Sequence, residues 1–299
     1  MSQHSKPYSR FDPAHLFDGL FVPTSGRKRG RLYVPPKQFG DTVISFQGFE
    51  ELGADDQSVL LAISAQLGVD GLVIKHDVEV GEIAQELQLK IALKDDLKSD
   101  LASKKTSLRS IFYDAGYEIE SGAAFDAIKR CLNRLANAQI REIDASGWDR
   151  RCNLIAVKFN HENGDIYVAA NPRLTEAIFH GQHVKISLYE RNQINGEVAK
   201  ILHAWLCSNI RLGNAMPMVA INTLLPHVYG QERLEKASRQ QLSSFRLQIK
   251  KALQEISDKT KWKIALSGPY AAIERPKELP ALEQLFPHGK GIVDLNFLD

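Results

Sequence analysis

Residues 238–256 carry the clearest structural signal in this sequence, and they read SRQQLSSFRLQIKKALQEI. Ser238 and Gln241 form a capping box, in which each side chain bonds the backbone N–H of the other residue and so starts a helix. Beyond the cap, apolar residues recur at helical spacing and mark one buried face. These residues are Leu242, Phe245, Ile249, Leu253 and Ile256.

The opposite face of this predicted helix is basic. From Arg233 to Lys251 the chain holds six basic residues and one acidic residue, Glu235. Arginine can donate two hydrogen bonds to guanine, and glutamine can pair with adenine, so the face suits the DNA major groove. A solvated helix face without a ligand is the alternative. The predicted DNA-contacting residues on this helix are Arg239, Gln240, Ser243, Ser244, Arg246, Lys250 and Lys251.

The elements around the basic helix predict a winged helix-turn-helix. A helix at 197–210 and a shorter one at 221–228 precede it, with a turn near Gly230. Two strands, 262–266 and 270–275, follow it and form a hairpin. Short helix, turn, longer helix and β-hairpin is the order of such DNA-binding domains.

The first half of the chain has the same order. A helix from Asp55 to Leu67 precedes a short helix at 107–115 and a longer helix capped by Ser121. Strands at 139–143 and 154–159 then flank the loop 144–151. The predicted fold class is therefore α+β, with two tandem winged-helix domains.

The longer helix of the first half presents a less basic face than the helix at 238–256. That face could contact DNA or a second copy of the protein, which makes a homodimer one expected partner. The loop after the helix is predicted to clamp the DNA backbone, although a plain hairpin turn with a shielded tryptophan fits equally well. The residues predicted to contact DNA in this half are Lys129, Arg130, Asn133, Arg134, Trp148, Arg150 and Arg151.

Length and composition set the domain plan. A chain of 299 residues is long enough for two domains. Lysine and arginine number 38 and aspartate and glutamate 36, so the net charge of +2 excludes a histone-like polycation but not a segregated DNA-binding surface. We predict a basic N-terminal extension at 1–47, winged-helix domains at 48–178 and 179–277, and a C-terminal tail at 278–299.

The cellular compartment is predicted from the cysteines and from hydropathy. Cys131, Cys152 and Cys207 are far apart and odd in number, which indicates buried thiols in a reducing compartment. No apolar run reaches the roughly 20 residues that a bilayer span requires. The polar start lacks a signal-peptide core. A cytoplasmic protein without membrane association is expected.

Signals for catalysis are weak. The chain lacks the P-loop pattern of ATPases. Tyr113 and Tyr117 have a spacing compatible with a rolling-circle nicking enzyme, but the His-x-His motif that would hold its metal is missing. His180 and His183 alone are poor evidence for zinc. We therefore predict no enzymatic activity, no catalytic residue, no metal and no cofactor. A protein-interaction module whose basic faces are mere surface is a further alternative.

Several short motifs resemble the RepC plasmid replication initiators of the IncQ type. They occur in the same order over about residues 12–277, which is nearly the whole chain. The matching segments are Asp12-Pro13-Ala14-His15, Leu52-Gly53-Ala54-Asp55-Asp56, Gly71-Leu72-Val73, Gly181-Gln182-His183-Val184-Lys185-Ile186-Ser187 and Ala199-Lys200-Ile201-Leu202-His203. This family is similar to other iteron-binding initiators with two winged-helix domains.

The resemblance implies a replication initiator that binds direct repeats, or iterons, in double-stranded origin DNA. It also implies opening of the adjacent duplex, recruitment of a separate helicase and primase, and repression of its own transcription. A winged-helix repressor without a role in initiation is the alternative function. The tail after Lys277 extends beyond the resemblance.

Overall fold

The computed structural model describes residues 8–75, 81–92, 99–160 and 164–278 of the chain. In this part the fold is of the α+β class. The elements up to residue 170 are β1 (Tyr8–Phe11), β2 (Leu32–Phe39), β3 (Thr42–Gly48), α1 (Ala54–Asp70), β4 (Leu72–Ile74), α2 (Glu82–Ile91), β5 (Leu101–Ser107), α3 (Leu108–Asp114), α4 (Gly122–Ala136), β6 (Gln139–Ile143), β7 (Asp149–Asn153), β8 (Ile155–Phe159) and β9 (Asp165–Ala170).

The remaining elements begin directly after β9. They are α5 (Pro172–Phe179), β10 (Val184–Ser187), α6 (Leu188–Gln193), α7 (Glu197–Asn209), β11 (Ala215–Ala220), α8 (Ile221–Tyr229), α9 (Gln231–Glu235), α10 (Arg239–Lys259), β12 (Lys263–Ser267) and β13 (Tyr270–Glu274). The sheets of the described residues have the strand orders β2-β3-β6-β7, β4-β5-β9-β8, β11-β13-β12 and β1-β10.

Helix α1 lies at the centre of the first half. Its residues from Val59 to Ile63 are completely buried, so the helix is apolar on every side and not only along one stripe. A helix of that kind must be covered all round by other elements. It packs against β1, α3, α4, α5 and α7.

The hairpin of the first half differs from the sequence prediction. The segment 154–159 was expected to pair with 139–143, but β6 pairs instead with β7, and β8 pairs with β9 in another sheet. The sequence of β7 is DRRCN, in which Cys152 is the buried residue. Such a polar strand lacks the apolar alternation from which strands are recognised.

The N-terminal segment also differs from the predicted extension at 1–47. From Tyr8 onward it is folded: β1 pairs with β10, and β3 pairs with β6. Phe11 and Val34 are completely buried, which ties the segment to the core. Three of its basic side chains are paired, Arg27 with Glu51, Arg29 with Asp56 and Lys37 with Asp18, so it is not the free basic arm that its composition indicates. Residues 1–7 lie outside the described residues.

The sequence also makes predictions about the cysteines, the C-terminal tail and membrane spans. The three cysteines are buried free thiols. Of the predicted tail at 278–299, only residue 278 lies within the described residues. Across the described ranges, every helix falls short of the length and apolar character that crossing a bilayer would require.

A buried arginine joins the two halves of the chain. Arg191 of α6 donates hydrogen bonds to the Ala54 carbonyl, the Gln57 side chain and the Ser58 hydroxyl, all in the first turns of α1. Burial lowers its pKa to about 9. The guanidinium is held by oxygen dipoles at the start of α1, and the contact fixes α6 against that helix.

A second buried pair lies within the C-terminal half. His203 of α7 is 3.3 Å from Glu190 of α6, and the Trp262 indole also donates to Glu190. Burial opposes the charged imidazole, but the charges and hydrogen bonds of Cys207 and Glu190 outweigh it and raise the pKa of His203 to about 9. Burial likewise opposes the Glu190 carboxylate, yet His203 lowers its pKa overall.

This pair predicts a stability loss at alkaline pH. Because the folded-state pKa of His203 is raised, its contribution to the free energy of unfolding is complete below about pH 6.5 and is lost as the pH rises through about 9. Urea unfolding across that range measures it. The control variant His203→Gln cannot titrate, so its stability should fall less over the same range; parallel curves for the two proteins would contradict the prediction.

Candidate nucleic-acid interface

Helix α10 begins where the sequence predicts. The Ser238 hydroxyl accepts a hydrogen bond from the Gln241 backbone N–H at 3.2 Å, and the Gln241 side chain accepts one from the Ser238 N–H at 2.8 Å. This is the complete capping box, with both N–H groups satisfied. The first turn of α10 is therefore fixed, and its residues have defined directions.

The apolar stripe of α10 anchors the helix and leaves its other face open. Phe245, Ile249, Leu253 and Ile256 are buried as expected, and the helix packs against α7 and α8. The predicted contact residues lie on the outer side. The exposed residues are Arg239, Gln240, Ser243, Ser244 and Lys251, while Arg246 and Lys250 are half-buried.

Some basic side chains near α10 are already engaged. Arg246 donates to the Asn222 side chain at 2.7 Å, and Lys236 pairs with Glu232. Arg233 lies over the rings of Tyr229 and Phe245, 5.5 and 5.2 Å from their centroids. Within the described part of the chain, Arg239, Lys250 and Lys251 form no side-chain hydrogen bond or ion pair, so their charges are available to an anionic ligand.

Helix α4 presents a smaller basic face. Its N-cap is Ser121, whose hydroxyl accepts from the Ala124 N–H. Lys129, Arg130 and Asn133 are exposed. Lys129 is 3.4 Å from Asp126, a contact between two exposed side chains that contributes little. These three side chains could reach a ligand.

Arg134 does not belong to that face. Its guanidinium donates to Asp56 at 2.8 Å, and its side chain is only 15% exposed. Arg29 pairs with the other oxygen of Asp56 at 2.7 Å. Asp56 also accepts from the Gly53 N–H and so caps α1. The predicted DNA contact at Arg134 is therefore replaced by a structural ion pair, which a wheel of α4 alone cannot reveal.

The loop between β6 and β7 holds an exposed tryptophan. Asp144 accepts hydrogen bonds from the backbone of Ser146 and Trp148, and Gly147 supplies the positive φ of 83° that closes the turn. Trp148 is 53% exposed. Arg151 is also exposed, with its guanidinium 3.6 Å from Asp149. The turn directs both side chains to solvent.

Arg150 differs from its neighbours in the same hairpin. Its guanidinium donates to Glu142 at 2.7 Å, and Glu142 is buried. Arg173 binds the other oxygen of Glu142 at 2.9 Å. Of the three residues predicted for the backbone clamp, Trp148 and Arg151 are therefore exposed, whereas Arg150 is bound to a buried carboxylate. Alternation along β7 is the signal that separates these arginines, because neighbouring residues point to opposite faces.

The tyrosines of the nicking alternative occupy ordinary structural positions. The hydroxyl of Tyr113 donates to Glu120 at 2.5 Å, and this bond raises its pKa. Burial raises the pKa of Tyr117. Both effects disfavour the phenolate that would attack a phosphate. Within the described residues, no group of three or more acidic, histidine or cysteine side chains could hold a metal ion.

Arg134 is paired with a buried carboxylate and Arg130 is exposed, so replacing them should affect stability differently. Arg134→Ala leaves part of the buried Asp56 carboxylate without its donor and should lower the free energy of unfolding by about 1–3 kcal/mol. Arg130→Ala, a matched exposed change on the same helix, should stay within about 0.5 kcal/mol of the wild type. Urea unfolding of both variants checks this, and equal stabilities would refute the structural role of Arg134.

Comparison with known proteins identifies the family. The search of curated proteins found no match. Among solved structures, the chain is similar to a crystal structure of selenomethionine derivatives of domain 2 and domain 3 of RctB. The identity is 12% and the TM-score 0.52, over 90% of this chain and 99% of that one, so the likeness concerns the fold. The model of the replication protein C family matches residues 3–277, and this chain therefore belongs to the RepC family of plasmid replication initiators.

Proposed function

We propose that this protein initiates plasmid replication by binding direct repeats of double-stranded origin DNA through α10. The observation that carries the proposal is that Arg239, Lys250 and Lys251 of α10 have no partner among the described residues, while the opposite face of the helix is buried. Arg239 and Gln240 stand in the first turn, where recognition helices contact base edges. Lys251 lies three turns further along and is placed for the phosphate backbone.

We assign each half of the chain to a winged helix, on the order of its helices and hairpin. In the second half these are α7, α8, α10 and the β12–β13 hairpin; in the first half they are α1, α3, α4 and the β6–β7 hairpin. We propose that Lys129, Arg130 and Asn133 of α4 hold a neighbouring stretch of DNA. Trp148 and Arg151 would contact its backbone from the hairpin.

Two such units on one DNA molecule imply a long site. Successive major grooves on one side of the duplex are about one helical turn apart, so repeats of roughly twenty base pairs are expected. We further propose a cytoplasmic, non-enzymatic protein that helps open the duplex and recruits helicase and primase in trans. Protection of tandem repeats beside an AT-rich stretch in a footprint would support this role, whereas a lone protected palindrome would favour the repressor.

Arg239 is predicted to read a base. Arg239→Ala should cost about 1–3 kcal/mol of binding free energy on the cognate repeat and relax the preference at one position of that repeat. Fluorescence anisotropy with the repeat and with point-mutated repeats measures both effects. Lys259→Ala, at the far end of the same helix, is the matched control. Wild-type affinity in Arg239→Ala would remove α10 from base recognition.

Lys251 is predicted to contact phosphate rather than a base. Lys251→Ala should weaken binding to cognate and unrelated duplexes alike, and it should reduce the slope of log affinity against log salt by about 0.9. A salt titration on both duplexes gives the slope. A loss confined to the cognate repeat, with the slope unchanged, would instead assign Lys251 a base contact.

A further inference from the structure

The β2-β3-β6-β7 sheet has one buried and one open face. Val34, Phe46 and Ile140 point to the core and are buried. Alternate residues point the other way, because successive side chains of a strand lie on opposite faces. We call these residues the outer sheet face. They are Tyr33, Ser45, Gln47, Gln139, Arg141 and Arg151.

Aromatic side chains at one side of the outer sheet face are unusually exposed. Tyr33 of β2 is 60% exposed, and Phe49, one residue past the end of β3, is 83% exposed. Tyr33 lies opposite Gln47 in the strand register. Neither aromatic ring contacts another ring among the described residues. Aromatic rings on the open face of a sheet are the groups on which nucleic-acid-binding modules stack unpaired bases.

Arginines occupy the other side of the same face. Arg141 of β6 and Arg151 of β7 are directly opposite each other. Both approach Asp149, Arg141 at 2.6 Å and Arg151 at 3.6 Å, so one carboxylate serves two guanidinium groups and a positive charge remains. Arg31, immediately before β2, is exposed and adds a further cation.

Amide groups lie between the aromatic and basic sides. Gln47 donates to the Gln139 carbonyl oxygen at 2.9 Å across β3 and β6. This single bond leaves the Gln47 oxygen and the Gln139 NH₂ group with further hydrogen-bonding capacity. Polar groups of this kind can pair with the edges of bases.

We propose that the outer sheet face binds single-stranded DNA. Tyr33 and Phe49 stack on unpaired bases, and Arg31, Arg141 and Arg151 contact the phosphates. The major groove admits an α-helix or a two-stranded ribbon, and a four-stranded sheet face is broader than that, whereas a sheet with exposed aromatics and cations suits splayed bases. This site is separate from α10 but shares Arg151 with the duplex contact proposed for the β6–β7 hairpin. It rests on the proposed function because opening of the origin supplies the single strand.

The test compares two probes with the full-length protein. Fluorescence anisotropy is measured with a fluorescein-labelled oligothymidylate of roughly 16 nucleotides, the upper site size of one binding module, and with the origin repeat as a duplex. Tyr33→Ala should weaken binding of the single strand between about fivefold and 150-fold. Duplex binding should be unchanged. Tyr33→Phe retains the ring and should bind as the wild type does.

Matched variants separate stacking from general loss of structure. Tyr189→Ala removes another exposed aromatic side chain, in α6, and should leave single-strand binding intact. Arg151→Gln should lower the salt slope for the single strand by about 0.7.

Three outcomes would overturn the proposal. The first is that the wild-type protein does not bind oligothymidylate. The second is that the double variant Tyr33→Ala with Phe49→Ala binds the single strand as tightly as the wild type. The third is that Arg239→Ala alone loses single-strand binding. The duplex proposal fails in a different way. If it is wrong, the wild-type protein does not bind the repeat but still binds oligothymidylate.

Discussion

The arrangement of the chain depends on the contacts made by the first turns of α1. The buried carboxylate of Asp56 binds Arg29 from the N-terminal segment and Arg134 from α4, and it caps the helix as well. Arg191 reaches the same turns from the second half. Breaking a buried ion pair leaves an uncompensated charge, which is far more costly than losing a surface pair. The N-terminal segment, α4 and the second half of the chain are therefore all fixed to the first turns of α1. Releasing any one of their arginines would leave buried polar or charged groups of α1 without a partner.

The sequence allowed the strongly periodic elements to be predicted. Helices α4 and α10 have clear serine caps and apolar stripes, and both occur where those signals lie. The polar strand β7 and the strand β5, whose sequence is LASKKTS, lack such a pattern. β7 pairs with the neighbouring strand β6, but its own residues show no apolar alternation by which it could be recognised. β5 is placed by pairing with β9, far along the chain, and that information is not present in any local window. The same reason explains why a basic N-terminal segment is folded into two sheets.

The sequence predicts only in part which side chains of the candidate interface are exposed and unpaired, and the reason is electrostatic. A helical wheel identifies which residues point away from the core, so the exposed positions of Arg239 and Lys251 follow from the sequence. It cannot identify where a buried carboxylate will come from. Asp56 and Glu142 lie far in sequence from some of the arginines that they neutralise. The outer sheet face was missed for a related reason, because Tyr33 and Arg141 come together only through the strand register of three separate segments, β2, β3 and β6.

The pairing of β1 with β10 has a consequence for how the chain is made. The strand at Tyr8–Phe11 leaves the ribosome early, but its partner at Val184–Ser187 is not yet synthesised. At about 5–20 residues per second, the first strand waits roughly 10–35 s with its backbone N–H and C=O groups unpaired. Exposed strand edges of this kind are prone to pair with other chains. The β1–β10 pair thus cannot form until translation has passed residue 187, and the nascent N-terminus is a segment that a chaperone would usefully protect.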